Sequence, residues 1–411
     1  MRISKWLMNG LALCAISTPL SALEVYNNEE KGAKVEVYGN IRGYIMEGAA
    51  YRSRSITTGD NDTGIGAVTN RNWSTGWNMG LQTNSRLGAK FTIGKFLGHI
   101  ELGLQEPGIL GSNNDVGFRL MYGQYTFGDY GKVTFGKTNT PTVVTGFVND
   151  VMATDNGAWG FGALPISVRK FQLQYSIFGA TIALIEDNPG ELTKVLASVN
   201  TTGNLRRNLM PRIALAYDYK GGSLEAKAGL SYRYINATVA NGSGTNSFHI
   251  LAAGKYHLLN KKLYISAIAH YGYNANEERV VGYMGGYNHA AINSYTNLAL
   301  FSNINVIGVY AEGGYALNDK ISLRVGAGFQ TAFDKYNTAN NAQTISTNIT
   351  SYMVMANLPV KVNQYITLTP HIGYYGTGVS NNVSVNANNT STDTPLSLGG
   401  FAALVRAEFN F

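Results

Sequence analysis

From residue 34 onward, apolar side chains recur at every second position of the chain. In residues 34–46, Val35, Val37, Ile41 and Ile45 share one parity, and Glu36, Asn40 and Arg42 share the other. Successive side chains of a strand point to opposite faces, so this spacing predicts a strand with one greasy and one wet face; no helix would group these residues. Residues 86–93 repeat the pattern, with Leu87, Ala89, Phe91 and Ile93 opposing Arg86, Gly88, Lys90 and Thr92. It returns in residues 224–234, where Leu224, Ala226, Ala228, Leu230, Tyr232 and Tyr234 oppose Glu225, Lys227, Ser231 and Arg233.

The segments between the strands are of two kinds. Gly128-Asp129-Tyr130-Gly131, Lys220-Gly221-Gly222, Leu259-Asn260-Lys261, Asn318-Asp319-Lys320 and Val362-Asn363-Gln364 are tight turns. Residues 52–72, 198–208, 236–246, 274–289, 337–350 and 379–394 are long tracts rich in Asn, Thr, Ser and Gly. Short turns on one side and long loops on the other are the mark of a membrane barrel, whereas a soluble sandwich shares only the alternation. No stretch after the N-terminal segment approaches the ~18 apolar residues that a spanning helix needs. If the chain crosses a membrane it therefore does so as a closed barrel, the one sheet arrangement that pairs every strand's backbone groups without water. The predicted fold is all-β, a transmembrane antiparallel β-barrel of sixteen strands. Residues 291–302 are apolar enough to form strand as well, which makes eighteen the alternative.

Composition agrees with that reading. The chain has 48 Gly, 26 Tyr and 16 Phe against 9 Pro and 14% charged residues, which suits many strands and turns. Residues 1–22 stand apart: Arg2 and Lys5 precede the apolar residues 6–16, and the small residues Ser17, Thr18, Ser21 and Ala22 follow. This is the pattern of a secretory signal peptide cut after Ala22, leaving 23–411 as the barrel; an uncleaved anchor is the competing reading. The single cysteine, Cys14, lies in that segment, so the remainder can form neither disulfides nor thiolate metal sites. A formal charge of +7, without runs of Lys or Arg, does not argue for nucleic acid. Asp60-Asn61-Asp62-Thr63-Gly64 lacks the spacing of a calcium loop, the histidines show no zinc-ligand spacing, and no nucleophile–base set has a recognisable context. No cofactor, metal or covalent chemistry is expected.

Three stretches, LEVYNNEEKGAKVEVYGNIRGYI (residues 23–45), SRLGAKFT (85–92) and FRLMYGQYTFGDYGKVTFGK (118–137), resemble in turn the mature start and first strand, the second strand, and the fourth and fifth strands with their turn, of the enterobacterial general diffusion porins. The last strand ends in Phe411, with Phe409, Ala407 and Val405 at alternating positions, which resembles the signal read by the barrel-insertion machinery. The resemblance implies a homotrimer in the Gram-negative outer membrane, in contact with lipid and lipopolysaccharide, each barrel enclosing its own pore for small polar solutes. It also implies that the third external loop, residues 138–165, folds inward and narrows the pore.

Such a pore selects by width and by the charges at its narrowest point. Parity places Arg42, Arg86 and Arg119 on the wet face, and Arg86 and Arg119 match the wall arginines of the resembled family. Lys170 has the same parity; Arg169 fits the family position loosely but shares parity with Phe171 and Leu173, so an interface role is its alternative. On the loop, Asp150 and Asp155 are the candidate carboxylates, with an ordinary solvated charge as the competing reading. Arg324, Glu312, Arg406 and Glu408 have wet-face parity and need no role beyond a polar wall. Tyr38, Tyr44, Phe127, Tyr130, Tyr256, Tyr271, Tyr315 and Phe411 are candidates for interfacial aromatic girdles. The net charge and the arginines predict weak anion preference; a solute-specific channel or a plugged adhesin barrel are the alternatives.

Overall fold

The computed structural model describes residues 22–56, 68–82, 84–104, 116–152, 158–165, 168–186, 210–235, 245–273, 305–337, 343–385, 392–393 and 396–411. The signal-like segment before residue 22, the acidic residue Asp155 and residues 291–302 lie outside them.

The short strand β1 (Leu23–Asn28) lies antiparallel to the lower part of β2 (Ala33–Ile56). On its other edge β2 pairs with β3 (Val68–Leu81) above and β4 (Arg86–Ile93) below, so β3 and β4 fill one wall position interrupted at residues 82–85. The wall continues through β5 (Phe96–Leu104), β6 (Val116–Thr126), β7 (Lys132–Asn139), β8 (Arg169–Ile177), β9 (Ala180–Ile185), β10 (Arg212–Gly221) and β11 (Leu224–Ile235). It goes on through β12 (Thr245–Leu258), β13 (Leu263–Tyr273), β14 (Asn305–Ala316), β15 (Ser322–Asn337) and β16 (Gln343–Asn357), which the two-residue β17 (Val360–Lys361) extends. Then come β18 (Ile366–Val385), the short β19 (Thr392–Asp393) and β20 (Leu396–Asn410). β20 returns to β2, from Asn40 opposite Asn410 to Arg54 opposite Leu396, and the sheet closes.

β1 prolongs the line of β20 along β2, and β19 extends the β20 line against β18, so the twenty strands occupy sixteen wall positions. Every neighbour is antiparallel, and β13 pairs directly with β14. The barrel therefore has sixteen strands; the eighteen-strand alternative fails because no wall position remains between those two.

Parity sorts the side chains as the alternation requires. Ile45, Met79, Ile265, Val354 and Ile372 stand exposed on the outer face, while Asn40, Arg42, Ser231, Ser266, Gln330 and Ser351 are buried on the inner one. An apolar girth of this extent is untenable in water and is what a bilayer demands. Among the described residues no helix is long and apolar enough to cross a membrane. Phe127, Tyr130, Tyr256, Tyr315 and Phe411 are exposed near the short-turn end, as girdle residues should be. Tyr38 and Tyr44 are not girdle residues: they share the parity of Asn40 and Arg42 and are buried in the interior. At the rim, outside the spanning part, Lys34 bridges Glu24 at 3.1 Å and Glu36 at 2.8 Å. Its hydrogen bond holds the Glu24 carboxyl below the ordinary range.

The abundance of Gly and Tyr has a local cause. Tyr38 opposes Gly88, Tyr264 opposes Gly314 and Tyr352 opposes Gly376 across the ladder, each ring lying over the glycine where a Cβ would otherwise stand. Phe411 does the same over Gly39, and their backbones exchange hydrogen bonds of 2.7 and 3.1 Å. The terminal aromatic thus seals the seam between the last strand and the first.

A Cβ on Gly39 would lie 2.1 Å from Phe411 Cζ. Gly39→Ala is expected to expel the ring and destabilise the barrel by about 1–3 kcal/mol. The temperature at which the folded band disappears from unboiled gels should fall, whereas Gly254→Ala, with no atom within 4 Å, should leave it nearly unchanged.

Candidate functional site

The connection between β7 and β8 turns into the barrel. Its base is closed by backbone hydrogen bonds from Thr140 N to Val168 O (2.8 Å) and from Val144 N to Pro165 O (3.2 Å). Beyond that base the loop runs along the inner wall, and its contacts trace the route. Ser266 Oγ on β13 donates to Phe147 O at 2.9 Å, and Lys255 Nζ on β12 donates to Gly146 O. Asn149 is gripped from three strands: its N–H donates to Glu312 Oε2 (2.9 Å), its amide to Glu312 Oε1 (2.6 Å) and Tyr264 Oη (3.1 Å), and its carbonyl accepts from Asn357 Nδ2 (2.9 Å). Next, Asp150 accepts from Tyr375 Oη on β18 (2.9 Å), and Val151 O accepts from Gln82 Nε2 (3.0 Å).

Apolar packing holds the same path. Val144, Phe147, Val148, Phe161 and Leu164 of the loop are buried against Leu251, Ile268, Val306, Tyr310, Ile349, Met353 and Met355, all inward residues of β12 to β16. Each such side chain contributes roughly 1.5–3 kcal/mol on full burial. Two glycines permit the approach: a Cβ on Gly162 (φ +104°) would lie 2.0 Å from Val309 O, and one on Gly328 would lie 2.0 Å from Phe161 O. The inner wall over β12 to β16 is therefore greasy because a loop covers it.

The inner wall from β20 round to β6 is charged. On β5, Glu101 accepts from Arg119 Nε at 2.8 Å and from Tyr38 Oη at 2.7 Å, with Arg86 Nε at 3.6 Å. Because Tyr38 donates to Glu101, its oxygen accepts a hydrogen bond from His99 Nε2–H (2.6 Å), and the neutral ring's Nδ1 then accepts from Tyr122 Oη (3.0 Å). On β20, Glu408 joins Arg42 Nε at 3.3 Å and Arg406 Nη2 at 3.2 Å, and Asn40 adds a hydrogen bond of 3.0 Å. Four guanidiniums thus share two carboxylates, Glu408 on β20 and Glu101 on β5, with the β2 and β3/β4 positions between them, an arrangement that fixes the planar forks in place. Among the described residues no three metal-ligating side chains converge.

No protein-family model matches the chain, and no curated protein matches it in sequence. Solved structures do match. The outer-membrane channel DcaP of Acinetobacter baumannii matches with a TM-score of 0.59 at 17% identity, over 95% of this chain and 100% of that one. The anion-selective porin from Comamonas acidovorans gives 0.51 at 14% identity, over 92% and 100%. Salmonella typhi OmpF in complex with daunomycin gives 0.51 at 14% identity, over 95% and 100%. The chain has the fold of the Gram-negative outer-membrane porins.

Within this barrel, Arg42, Arg86 and Arg119 come together on the inner wall of β2, β4 and β6. Lys170 lies opposite Thr138 at the loop base, on the parity of the buried Gln172. Arg169, the first residue of β8, falls on the parity of the outward Phe171 and Leu173. Asp150 is fully buried where the loop meets β18, and its other oxygen accepts from Met152 N at 2.6 Å. Phe409 and Phe411 stand on the outer face at the seam. Glu101 was not among the sequence candidates, although it shares the parity of His99, opposite Ile100, and the alternation of residues 96–104 contains it. The linkage of Glu312 to Asn149 left no comparable trace, since 163 residues separate them.

Glu312→Ala would leave the Asn149 N–H and the hydroxyls of Tyr264 and Tyr310 without their acceptor. A buried donor so stranded costs about 1–3 kcal/mol. Amides of residues 147–151 should then exchange markedly faster in hydrogen-exchange mass spectrometry while the strands stay protected; unchanged exchange would show that Glu312 does not hold the loop.

Proposed function

We propose that this chain is a porin: a water-filled channel through the outer membrane for passive diffusion of ions and small hydrophilic solutes, without enzymatic activity and with weak preference for anions. The observation that carries the reading is the division of the inner wall. The described residues of the β7–β8 loop pack against the β12–β18 side and leave the β20–β6 side lined by arginines. A solute passing between them meets guanidiniums fixed in advance of its arrival. Arg42, Arg86, Arg119 and Arg406 outnumber Glu101 and Glu408 by two positive charges. In a narrow passage with low-dielectric walls this excess is weakly screened and raises the local anion concentration. The same fold carries the anion-selective Comamonas porin. Lys170 would extend the basic lining at the loop base, and Asp155 would supply the acidic counterpart. Asp150 would act by holding the loop.

The working unit in this reading is a homotrimer in contact with lipid and lipopolysaccharide, inserted by the barrel-assembly machinery through the strand that ends in Phe409 and Phe411. Residues 1–22 serve as its export signal.

Planar-bilayer recordings in a salt gradient test the reading. Stable open steps are expected, with a reversal potential on the anion side. Arg86→Ala with Arg119→Ala should move that potential toward cations, and Glu101→Gln should move it the other way. Absence of open steps would remove the porin reading; open steps without either shift would place these residues away from the narrow region.

A further inference from the structure

The short-turn end of the barrel carries a run of lysines that the arginine wall and the loop do not use. Going round the rim they are Lys261 and Lys262 in the β12–β13 turn, Lys320 in the β14–β15 turn and Lys361 in β17, all exposed. Across these turns, residues 259–262, 317–321 and 358–365, the sequence has one carboxylate, Asp319. Lys220 in the preceding turn already has Glu225 at 3.6 Å. Among the described residues the ammonium groups of Lys261, Lys262, Lys320 and Lys361 make no ion pair or hydrogen bond.

The backbone holds these lysines in place. Lys262 O accepts from Ala316 N at 2.7 Å and Lys320 O accepts from Lys361 N at 2.8 Å, so the three turns are tied to one another. Asn318 Oδ1 caps the middle one, accepting from the N–H groups of Lys320 and Ile321, both at 2.9 Å. In the first turn Leu259, Asn260 and Lys261 have φ of 49°, 54° and 69°, a left-handed run that of the three only Asn tolerates readily. Such strain persists where the surrounding structure holds it, and it brings the chain back to the wall at Lys262.

Parity tells which way the rim faces. Lys262 has the parity of Tyr264, whose hydroxyl donates to Glu312 inside the barrel, and Lys361 opposes Thr367, on the parity of the buried Thr369. Behind them Arg324, opposite Gly314 and Asn357, has the parity of the buried Gln330. The basic segment therefore opens on the lumen and not on lipid. From β13 to the β16–β17 line it covers roughly 15 Å at the usual strand spacing, a width that flexible lysine stems can close around one anion.

We propose that the short-turn mouth of the pore is a binding site for a soluble anion bearing several phosphoryl groups, held by Lys262, Lys320 and Lys361 with Arg324 behind them. A monovalent anion would neutralise one of these charges and leave the others facing each other, whereas linked phosphoryl groups present acceptor oxygens to all of them. Each ammonium offers three donors and no acceptor, which suits such oxygens. A phospholipid headgroup has the same chemistry, but it would have to leave the bilayer and reach round the rim into the lumen. Filled or empty, the site would make the two ends of the channel respond differently to such anions. The proposal goes beyond the porin reading and rests on it for the lumen into which the rim opens.

The test uses the full chain folded in detergent, with inorganic tripolyphosphate as the probe. Titration calorimetry should find binding to the parent, weakened about tenfold or more when Lys262→Gln, Lys320→Gln and Lys361→Gln are combined, as loss of charged hydrogen bonds implies. Lys31→Gln with Lys95→Gln, exposed lysines in turns on the other side of the rim, should bind as the parent does. In planar bilayers of neutral lipid, tripolyphosphate should block the parent more strongly from one chamber than from the other, and the triple variant should lose the difference. Should the triple variant fail to fold, Lys320→Gln alone is read in its place, with a smaller loss in the same direction. No binding to the parent, parental binding in the variant, an equal loss in the Lys31 and Lys95 control, or equal block from both chambers would overturn the proposal. So would vesicles containing phosphatidylglycerol that capture the parent but not the variant and displace tripolyphosphate, since the ligand would then be a headgroup. Open steps without tripolyphosphate binding leave the porin reading standing and remove the site; binding without open steps does the reverse.

Discussion

Backbone hydrogen bonding in a medium without water decides this architecture. Every strand edge in hydrocarbon would leave a row of unpaired N–H and C=O groups, so the sheet has to close, and it closes where β20 meets β2. That closure explains features which otherwise look unrelated. β1 continues the line where β20 stops, so the lower edge of β2 is not left bare. Phe411 lies over Gly39 at the same seam, filling with an aromatic ring the space that the glycine leaves. β3 and β4, broken at residues 82–85, together keep the upper and lower parts of β2 paired.

A closed wall still leaves the interior to be shaped, and one segment does it. The β7–β8 loop carries Val144, Phe147, Val148, Phe161 and Leu164, side chains that would be out of place in water, and the inner wall of β12–β16 carries the apolar surface to receive them. Polar contacts then fix the register: Glu312 and Asn357 hold Asn149, Tyr375 holds Asp150, and Gln82 holds Val151. The loop and the wall behind it form a small protein core inside a membrane barrel. The arginines on the opposite side keep the other boundary of the lumen polar.

Much of this was legible in the sequence because the period of two is a local signal. The faces of residues 34–46, 86–93 and 224–234 follow from it, as do the inward positions of Arg42, Arg86 and Arg119. Strand number was less legible, since residues 291–302 look like strand and only the direct pairing of β13 with β14 shows that the wall needs no more. A place near a strand end suits Tyr38 and Tyr44 to a girdle, but their parity puts them inside; Tyr38 is there because Glu101 and His99 need its hydroxyl. The loop's fastening was hidden for a different reason: its partners lie 69 to 225 residues away in sequence, and nothing local to Asp150 points to Tyr375.

The account stands on an open, wet lumen inside that closed wall. Liposomes reconstituted with the purified protein and challenged with sugars of increasing size measure it directly. Swelling should be fast for the smallest sugar and fall steadily with solute size, as passage through a narrow aqueous channel requires. No swelling with any sugar, by protein that is folded and inserted, would contradict it.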